Sequence, residues 1–152
     1  MSVTVDLSIA ELKKVIADFI DMGHVENIVA MFKEDPALYA LSGDLLRDER
    51  FMVRIGMAVL FEEMVVIRPN EIRLAIPALL PLLTEASPIL RGESATLLGI
   101  IGDRTVCAEL EPLIHDPDPQ VAEIARDIFS SWSGQGDPHR DLSAALPTPF
   151  FE

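Results

Sequence analysis

The sequence SPILRGESATLLGIIGDRTVCAELEPLIHDPDPQVAEIARDIFSSW, residues 87–132, decides the fold class. Three helix-start signals divide it: Ser87 precedes a proline, Gly102 precedes Asp103, and Asp118 precedes another proline. A hydroxyl or carboxylate at such a place accepts hydrogen bonds from the free N–H groups of a new helix, and proline fits the first helical turn. The stretch therefore predicts three consecutive helices joined by tight turns.

Apolar residues recur between these turns at intervals of three and four, which is the period of a helix with one buried face. They form two stripes: Val106, Leu110, Leu113 and Ile114, and then Val121, Ile124, Ala125, Ile128 and Trp132. The composition also favours helix packing, since 49% of the 152 residues are apolar but only 6% are aromatic. We expect an all-α fold in a single domain.

The net charge of −13 restricts the class of partner. A nucleic-acid binder needs Lys and Arg against the phosphates, and anionic lipid repels an acidic surface. The single cysteine, Cys107, leaves no intrachain disulfide and favours a reducing compartment. No signal peptide is visible, and the longest apolar run, 74–83, is too short to span a bilayer. We expect a cytoplasmic protein.

The first part of the chain carries further helix signals. Ser8 and Glu11 have the spacing of a capping box, in which each side chain accepts a hydrogen bond from the backbone N–H of the other. The helix that they begin should end near Met22, and a second helix is predicted over about 25–33. Asp35, which precedes a proline, should start a third.

A longer helix is predicted over about 49–67, and it is apolar almost all round. Such a helix is expected to be the most buried one. Asn70 is predicted to cap the next helix, over about 71–85. Two prolines inside that helix should kink or break it near Ile76, because each removes a backbone hydrogen bond.

Three segments of the chain repeat one pattern. In each, an anchor residue follows an acid by five positions; the anchors are Val53, Leu90 and Val121, and the acids are Asp48, Glu85 and Asp116. The anchors lie 37 and then 31 residues apart, which is the size of a two-helix unit. A unit of this kind cannot bury both faces alone, so several units are expected to stack.

These residues resemble the HEAT-like repeat family of the bilin-lyase type. The family's Val-Arg pair is matched by Val53-Arg54 and, as Leu-Arg, by Leu90-Arg91, whereas Ala122 replaces the Arg in the third repeat. Its acidic turn and the end of its second helix are matched at 116–121 and 97–103.

The resemblance implies a short α-α superhelix, or solenoid, of about eight helices. Residues 36–132 would form three repeats, and residues 1–35 would form an N-terminal capping helix pair. Residues 133–152, rich in Gly and Pro at their start, are expected to be an irregular tail. Phe150 and Phe151 in that tail are a candidate docking motif, with a loose chain end as the alternative.

Two sets of charged residues are candidates for function. Arg54 and Arg91 occupy matching positions and would either bind an anionic ligand or form a structural ladder with neighbouring acids; the structural interpretation is favoured. Acids of the second helices could form an acidic groove for a basic segment, or an ordinary solvated face: Glu62, Glu63, Glu93, Glu123 and Asp127.

No catalytic or cofactor-binding constellation is recognisable. His24, His115 and His139 have no His or Cys at metal-ligand spacing, and no His-Glu dipeptide of the HEAT-like hydroxylases occurs. Acids near Cys107 disfavour a thiolate. We therefore expect no cofactor, no metal and no enzymatic activity.

The leading hypothesis is a non-catalytic protein–protein interaction scaffold. Its expected partner is another protein with a basic segment, and a homo-oligomer is compatible with the pattern. The alternative is an accessory or lyase-like protein of the bilin-lyase branch that acts on a small ligand, which would need a pocket of converging polar groups.

Overall fold

The computed structural model describes residues 8–135, and within that range every regular element is helical. Eight α-helices occur there: α1 Ile9–Asp21, α2 Val25–Glu34, α3 Ser42–Leu46, α4 Phe51–Ile67, α5 Ile76–Leu79, α6 Pro88–Ile101, α7 Cys107–Leu110 and α8 Pro119–Gln135. The predicted all-α class is confirmed. Helix α8 continues two residues past Ser133, where the tail was expected to begin, and Phe150 and Phe151 lie outside the described residues.

Short 3₁₀ helices extend the three shortest α-helices: Pro36–Leu41 precedes α3, Glu71–Ala75 and Leu80–Thr84 flank α5, and Arg104–Val106 and Glu111–His115 flank α7. Residues 36–135 thus consist of three helix pairs. In each, a composite first helix is followed by one long second helix, α4, α6 or α8. The predicted break near Ile76 is confirmed, because the helix changes there from 3₁₀ to α.

Side-chain caps begin five of the helical segments where the sequence predicts them, at Ser8, Asp35, Ser87, Asp103 and Asp118. The Ser8 hydroxyl accepts from the Glu11 N–H and the Glu11 carboxylate accepts from the Ser8 N–H, both at 3.1 Å. Gly102 ends α6 with a φ of 75°, in the left-handed region that glycine tolerates. The predicted Asn70 cap is wrong: its side chain makes no capping bond, because its backbone is already helical instead of extended.

One apolar core runs through all the described elements, from Ile16 in α1 to Trp132 in α8. The second helices lie side by side in the order α4, α6, α8, and α1 and α2 pack against α4. Each composite first helix contacts its own second helix and the next first helix. Two layers of helices therefore share the core.

Two buried glycines allow close approach between elements. A Cβ atom at Gly43 would collide with the backbone carbonyl of Ala78, and a Cβ atom at Gly56 would collide with Cγ2 of Ile20. Gly43 thus brings the first helices of the first two pairs together, and Gly56 lets α1 lie directly on α4. These contacts set helix separations smaller than any other side chain would permit.

Helix α4 is not buried all round, so the expectation drawn from its composition is wrong in part. One face is fully buried, including Val53, Met57 and Leu60. The opposite face is open, with Phe51 61% and Val66 76% exposed. A helix that is apolar on every side carries no period to show which side meets solvent, and here α1, α2, α6 and the first helices cover only part of it.

The contribution of the α8 cap to stability can be tested by substituting Asp118. The Asp118 carboxylate accepts from the N–H groups of Gln120 at 2.8 Å and Val121 at 3.3 Å. Asp118→Ala is expected to lower the free energy of unfolding by about 1 kcal/mol, whereas Asp118→Asn should retain most of it because asparagine caps equally well. Chemical denaturation of the two variants measures this. Equal losses in both would show that the cap does not stabilise the helix.

Candidate interaction surface

Helix α4 presents an apolar stripe to solvent, here called the α4 stripe: Phe51, Met52, Ile55, Val59 and Val66. These positions fall on one side of the helix, and the exposed acids Glu62 and Glu63 occupy the turn between Val59 and Val66. Even the middle of the stripe is open, with Ile55 40% and Val59 42% exposed. Single exposed apolar residues are ordinary, but an aligned set on one helix face is typical of a binding surface.

A shallow cleft lies between α6 and α8. Gly92 and Gly99 form its α6 side, and a Cβ atom at Gly92 would lie 3.3 Å from Cδ1 of Ile124. Thr96 and Ile124 line both ends of the cleft, with the other lining residues as follows: Pro88, Ile89, Glu93, Asp118, Gln120 and Val121 at one end, and Ile100, Asp127, Ile128, Ser131 and Trp132 at the other. The two glycines let side chains of α8 lie close against α6.

Glu93 is half-buried in this cleft. Burial raises the pKa of its carboxyl above the usual value, and the nearby charge of Arg54 offsets part of that effect. Neither an ion pair nor a hydrogen bond contributes to the shift among the described residues. A carboxylate that is partly desolvated and lacks a partner gains more from an incoming cation than an exposed one does.

The other predicted acids lie on both sides of Glu93. Glu62 and Glu63 are exposed on α4 beside the α4 stripe, and Glu123 and Asp127 are exposed on α8. Asp127 and Glu93 line adjoining ends of the same cleft, so the fold brings these two near one another. Glu62 and Glu63 lie one helix away.

The two predicted ladder arginines share one role and differ in another. Arg54 and Arg91 each donate from Nη1 to two carbonyl oxygens of the turn that precedes their own helix, at 2.8–3.1 Å. Arg91 also binds Asp116 through Nε and Nη2, both at 2.8 Å. This ion pair holds the pKa of the Asp116 carboxyl below its usual value and joins the second pair to the third.

Arg54 has no equivalent carboxylate among the described residues, and its buried Nε lacks a hydrogen-bond partner there. The acid at the matching position, Glu85, is bound instead by Arg47 at 2.6 Å. The ladder is therefore interrupted between the first and second pairs. Turn carbonyls and Asp116 together occupy the guanidinium group of Arg91, whereas turn carbonyls occupy only Nη1 of Arg54.

An arginine that the sequence did not single out joins α1 to the first pair. Arg50 binds Asp48 at 2.9 Å and Asp18 at 3.0 Å, and Asp21 lies 3.5 Å away. Hydrogen bonds from Arg50 lower the pKa of Asp48. The adjacent charges Asp48 and Arg50 are the only local signal, and the partners in α1 are about thirty positions earlier, so the sequence alone does not connect them.

One buried polar group was likewise not anticipated. The Tyr39 hydroxyl has no hydrogen-bond partner within the described part of the chain, and burial raises its pKa to about 12. Its ring packs edge-on against Phe32 and Phe61, at centroid distances of 5.0 and 6.3 Å. Tyr39 is fully buried, so this group belongs to the core and not to the open surface.

Residues 8–135 contain no group of three or more His, Cys, Asp or Glu side chains placed to hold a metal ion. None of the helices in that range combines the length and the apolar character needed to cross a bilayer. Comparisons with protein-family models, with curated proteins and with solved structures gave no match. A function for this chain therefore has to be inferred from its own surface.

Proposed function

We propose that this protein is a non-catalytic protein-interaction scaffold built as a short HEAT-like α-α superhelix. Three features support the architecture: the side-by-side order of the second helices, the shared layer of first helices, and the matching turn contacts of Arg54 and Arg91. In this proposal residues 36–132 are the three repeats, and α1 and α2 cap them. The single cysteine and the acidic composition favour action in the cytoplasm.

The α4 stripe is the observation that supports binding most strongly. It exposes five large apolar side chains on one side of a helix whose other side is well packed. An open helix face suits the broad contact of another protein, whereas a small-molecule site would be concave and enclosed. The proposed partner-binding set is the α4 stripe with Glu62, Glu63, Glu93, Glu123 and Asp127, and acids on all three second helices favour a basic partner segment.

A matched pair of surface substitutions tests the scaffold proposal. Val59→Asp places a charge in the middle of the α4 stripe, and Leu74→Asp places one at an equally open apolar position on a first helix. We expect Val59→Asp to lower the recovery of partner proteins from native lysate at least about tenfold and Leu74→Asp to leave it unchanged, because desolvating an unpaired carboxylate opposes apolar contact. Quantitative mass spectrometry of the retained proteins measures this.

Circular dichroism of both variants should match that of the unmodified protein, since each replaced side chain is exposed. Equal retention of every captured protein by the Val59→Asp variant would contradict the proposal.

A further inference from the structure

The second helices α4, α6 and α8 form one surface, and its α4 edge is apolar whereas its α8 edge is acidic. On the α4 side lies the α4 stripe, which is apolar. On the α8 side the exposed positions are polar or acidic, among them Gln120, Glu123 and Asp127. Between them lies the shallow cleft of α6 and α8, which contains Gly92 and Gly99. This surface, with one apolar side and one acidic side, is here called the trough.

The charges of this trough are not balanced from within. Helices α4, α6 and α8 contain no lysine and one arginine each. Arg54 and Arg91 are held by turn carbonyls, and the Arg126 guanidinium donates to the carbonyl of Ile114 at 3.2 Å. The charge of Arg54 lowers the pKa of Glu93 in part, but Glu93 makes no ion pair or hydrogen bond among the described residues, and it lines one end of the cleft with Asp118.

We infer that the trough binds an amphipathic helix of the partner that places apolar side chains on the α4 stripe and Lys or Arg side chains against Glu93 and the α8 side. This inference rests on the proposed scaffold function and adds the shape and charge of the partner segment. Positions 51–66 of α4 span about 22 Å at 1.5 Å per residue, which matches a helix of about four turns.

A helix fits this surface better than an extended segment does. No strand occurs among residues 8–135, so this part of the chain offers an extended peptide no sheet edge with which to pair its backbone. A helix satisfies its own N–H and C=O groups and presents apolar side chains at the spacing of the α4 stripe. Side chains of such a helix would also reach the shallow cleft between α6 and α8.

Charge complementarity favours a basic partner helix over two other occupants of the trough, a second copy of this chain and the chain's own residues 136–152. A second copy would bring the same acidic surface and a net charge of −13 to the contact. Residues 136–152 contain apolar side chains, but their acids Asp137, Asp141 and Glu152 outnumber their single cation, Arg140. Both would add negative charge to a surface on which acids outnumber the three arginines.

Three designed peptides of about 18 residues test the inference against the full chain. All three carry the same leucine stripe on one helical face, and their flanking positions are Lys, Gln or Glu. Fluorescence anisotropy at about 150 mM salt, where long-range attraction is screened, measures their affinities. We expect the Lys peptide to bind at least about tenfold more tightly than the Gln peptide, and the Glu peptide to bind weakest.

Two variants locate the contact. Glu93→Gln should weaken the Lys peptide about fivefold and leave the Gln peptide unchanged, whereas Glu109→Gln, an exposed acid on a first helix, should change neither. Glu93→Gln and Glu109→Gln change the net charge equally, so a general charge effect would weaken binding of the Lys peptide to both variants. Val59→Asp should weaken all three peptides.

The outcomes separate the two levels of proposal. If all three peptides bind with equal affinity and all depend on Val59, the surface binds proteins but the inference of a basic helix is overturned. If no peptide depends on Val59, the proposed function fails as well. A dimer in sedimentation equilibrium that Val59→Asp dissociates would assign the trough to a second copy. Tighter peptide binding after Phe150→Ser with Phe151→Ser would assign it to the chain's own end, and either result overturns the inference.

Discussion

Replacing Gly56 with alanine is expected to lower the free energy of unfolding by about 2 kcal/mol, although alanine is the better helix former by about 1 kcal/mol. The added methyl group would occupy the place of Cγ2 of Ile20, and Ile20 is fully enclosed by the core. Helix α1 would therefore have to move away from α4. Urea denaturation of the variant measures the loss, and a fall in Tm of about 6 °C should accompany it for a domain of this size.

A double-mutant cycle shows whether this collision is the cause. In an Ile20→Ala background the obstructing methyl group is gone, and the vacated space can accept the new Cβ atom. There Gly56→Ala should be neutral or stabilising, so that the sign of its effect reverses between the two backgrounds. An equal loss in both would mean that the glycine stabilises the protein for a reason other than the approach of α1.

Features encoded by neighbouring residues could be predicted from the sequence. The capping box at Ser8, the left-handed end at Gly102 and the proline-driven break near Ile76 all depend on side chains within a few positions of the affected backbone. Asn70 shows the limit of that reasoning. A residue type that favours caps does not cap when the backbone around it stays helical, and that conformation is decided by how the turn after α4 packs.

Features set by packing between distant residues could not be predicted in the same way. The composition of α4 indicated burial, yet the exposed face that forms the candidate site depends on which neighbours happen to cover it. The sequence placed the five candidate acids on second helices, but it did not show that only Glu93 would be half-buried in a cleft. That distinction follows from the small residues at Gly92 and Gly99, which let α8 approach α6.

Arg91→Ala is expected to lower the free energy of unfolding by about 3 kcal/mol. The Arg91 and Asp116 side chains are only 15% and 4% exposed, so removing the arginine leaves a carboxylate that is largely shielded from water without its partner. The turn carbonyls of Glu85 and Ala86 lose a donor at the same time. Equilibrium denaturation near neutral pH measures the effect, and an Arg91→Ala, Asp116→Ala cycle should give a coupling energy of about 2 kcal/mol.

Arg54→Ala is the matched control, and pH supplies a second one. Arg54 makes the same kind of turn contacts but has no carboxylate partner among the described residues, so its loss should cost about 1 kcal/mol. Because Arg91 lowers the pKa of Asp116 in the folded protein, the pair's contribution is present above the ordinary carboxyl value of 3.8 and is lost as pH falls through the lowered pKa. The difference between Arg91→Ala and the unmodified protein should therefore shrink in strong acid, whereas that of Arg54→Ala should stay nearly constant. A pH-independent loss in Arg91→Ala would mean that Arg91 stabilises the protein through the turn carbonyls of its own helix pair, and not through the ion pair with Asp116.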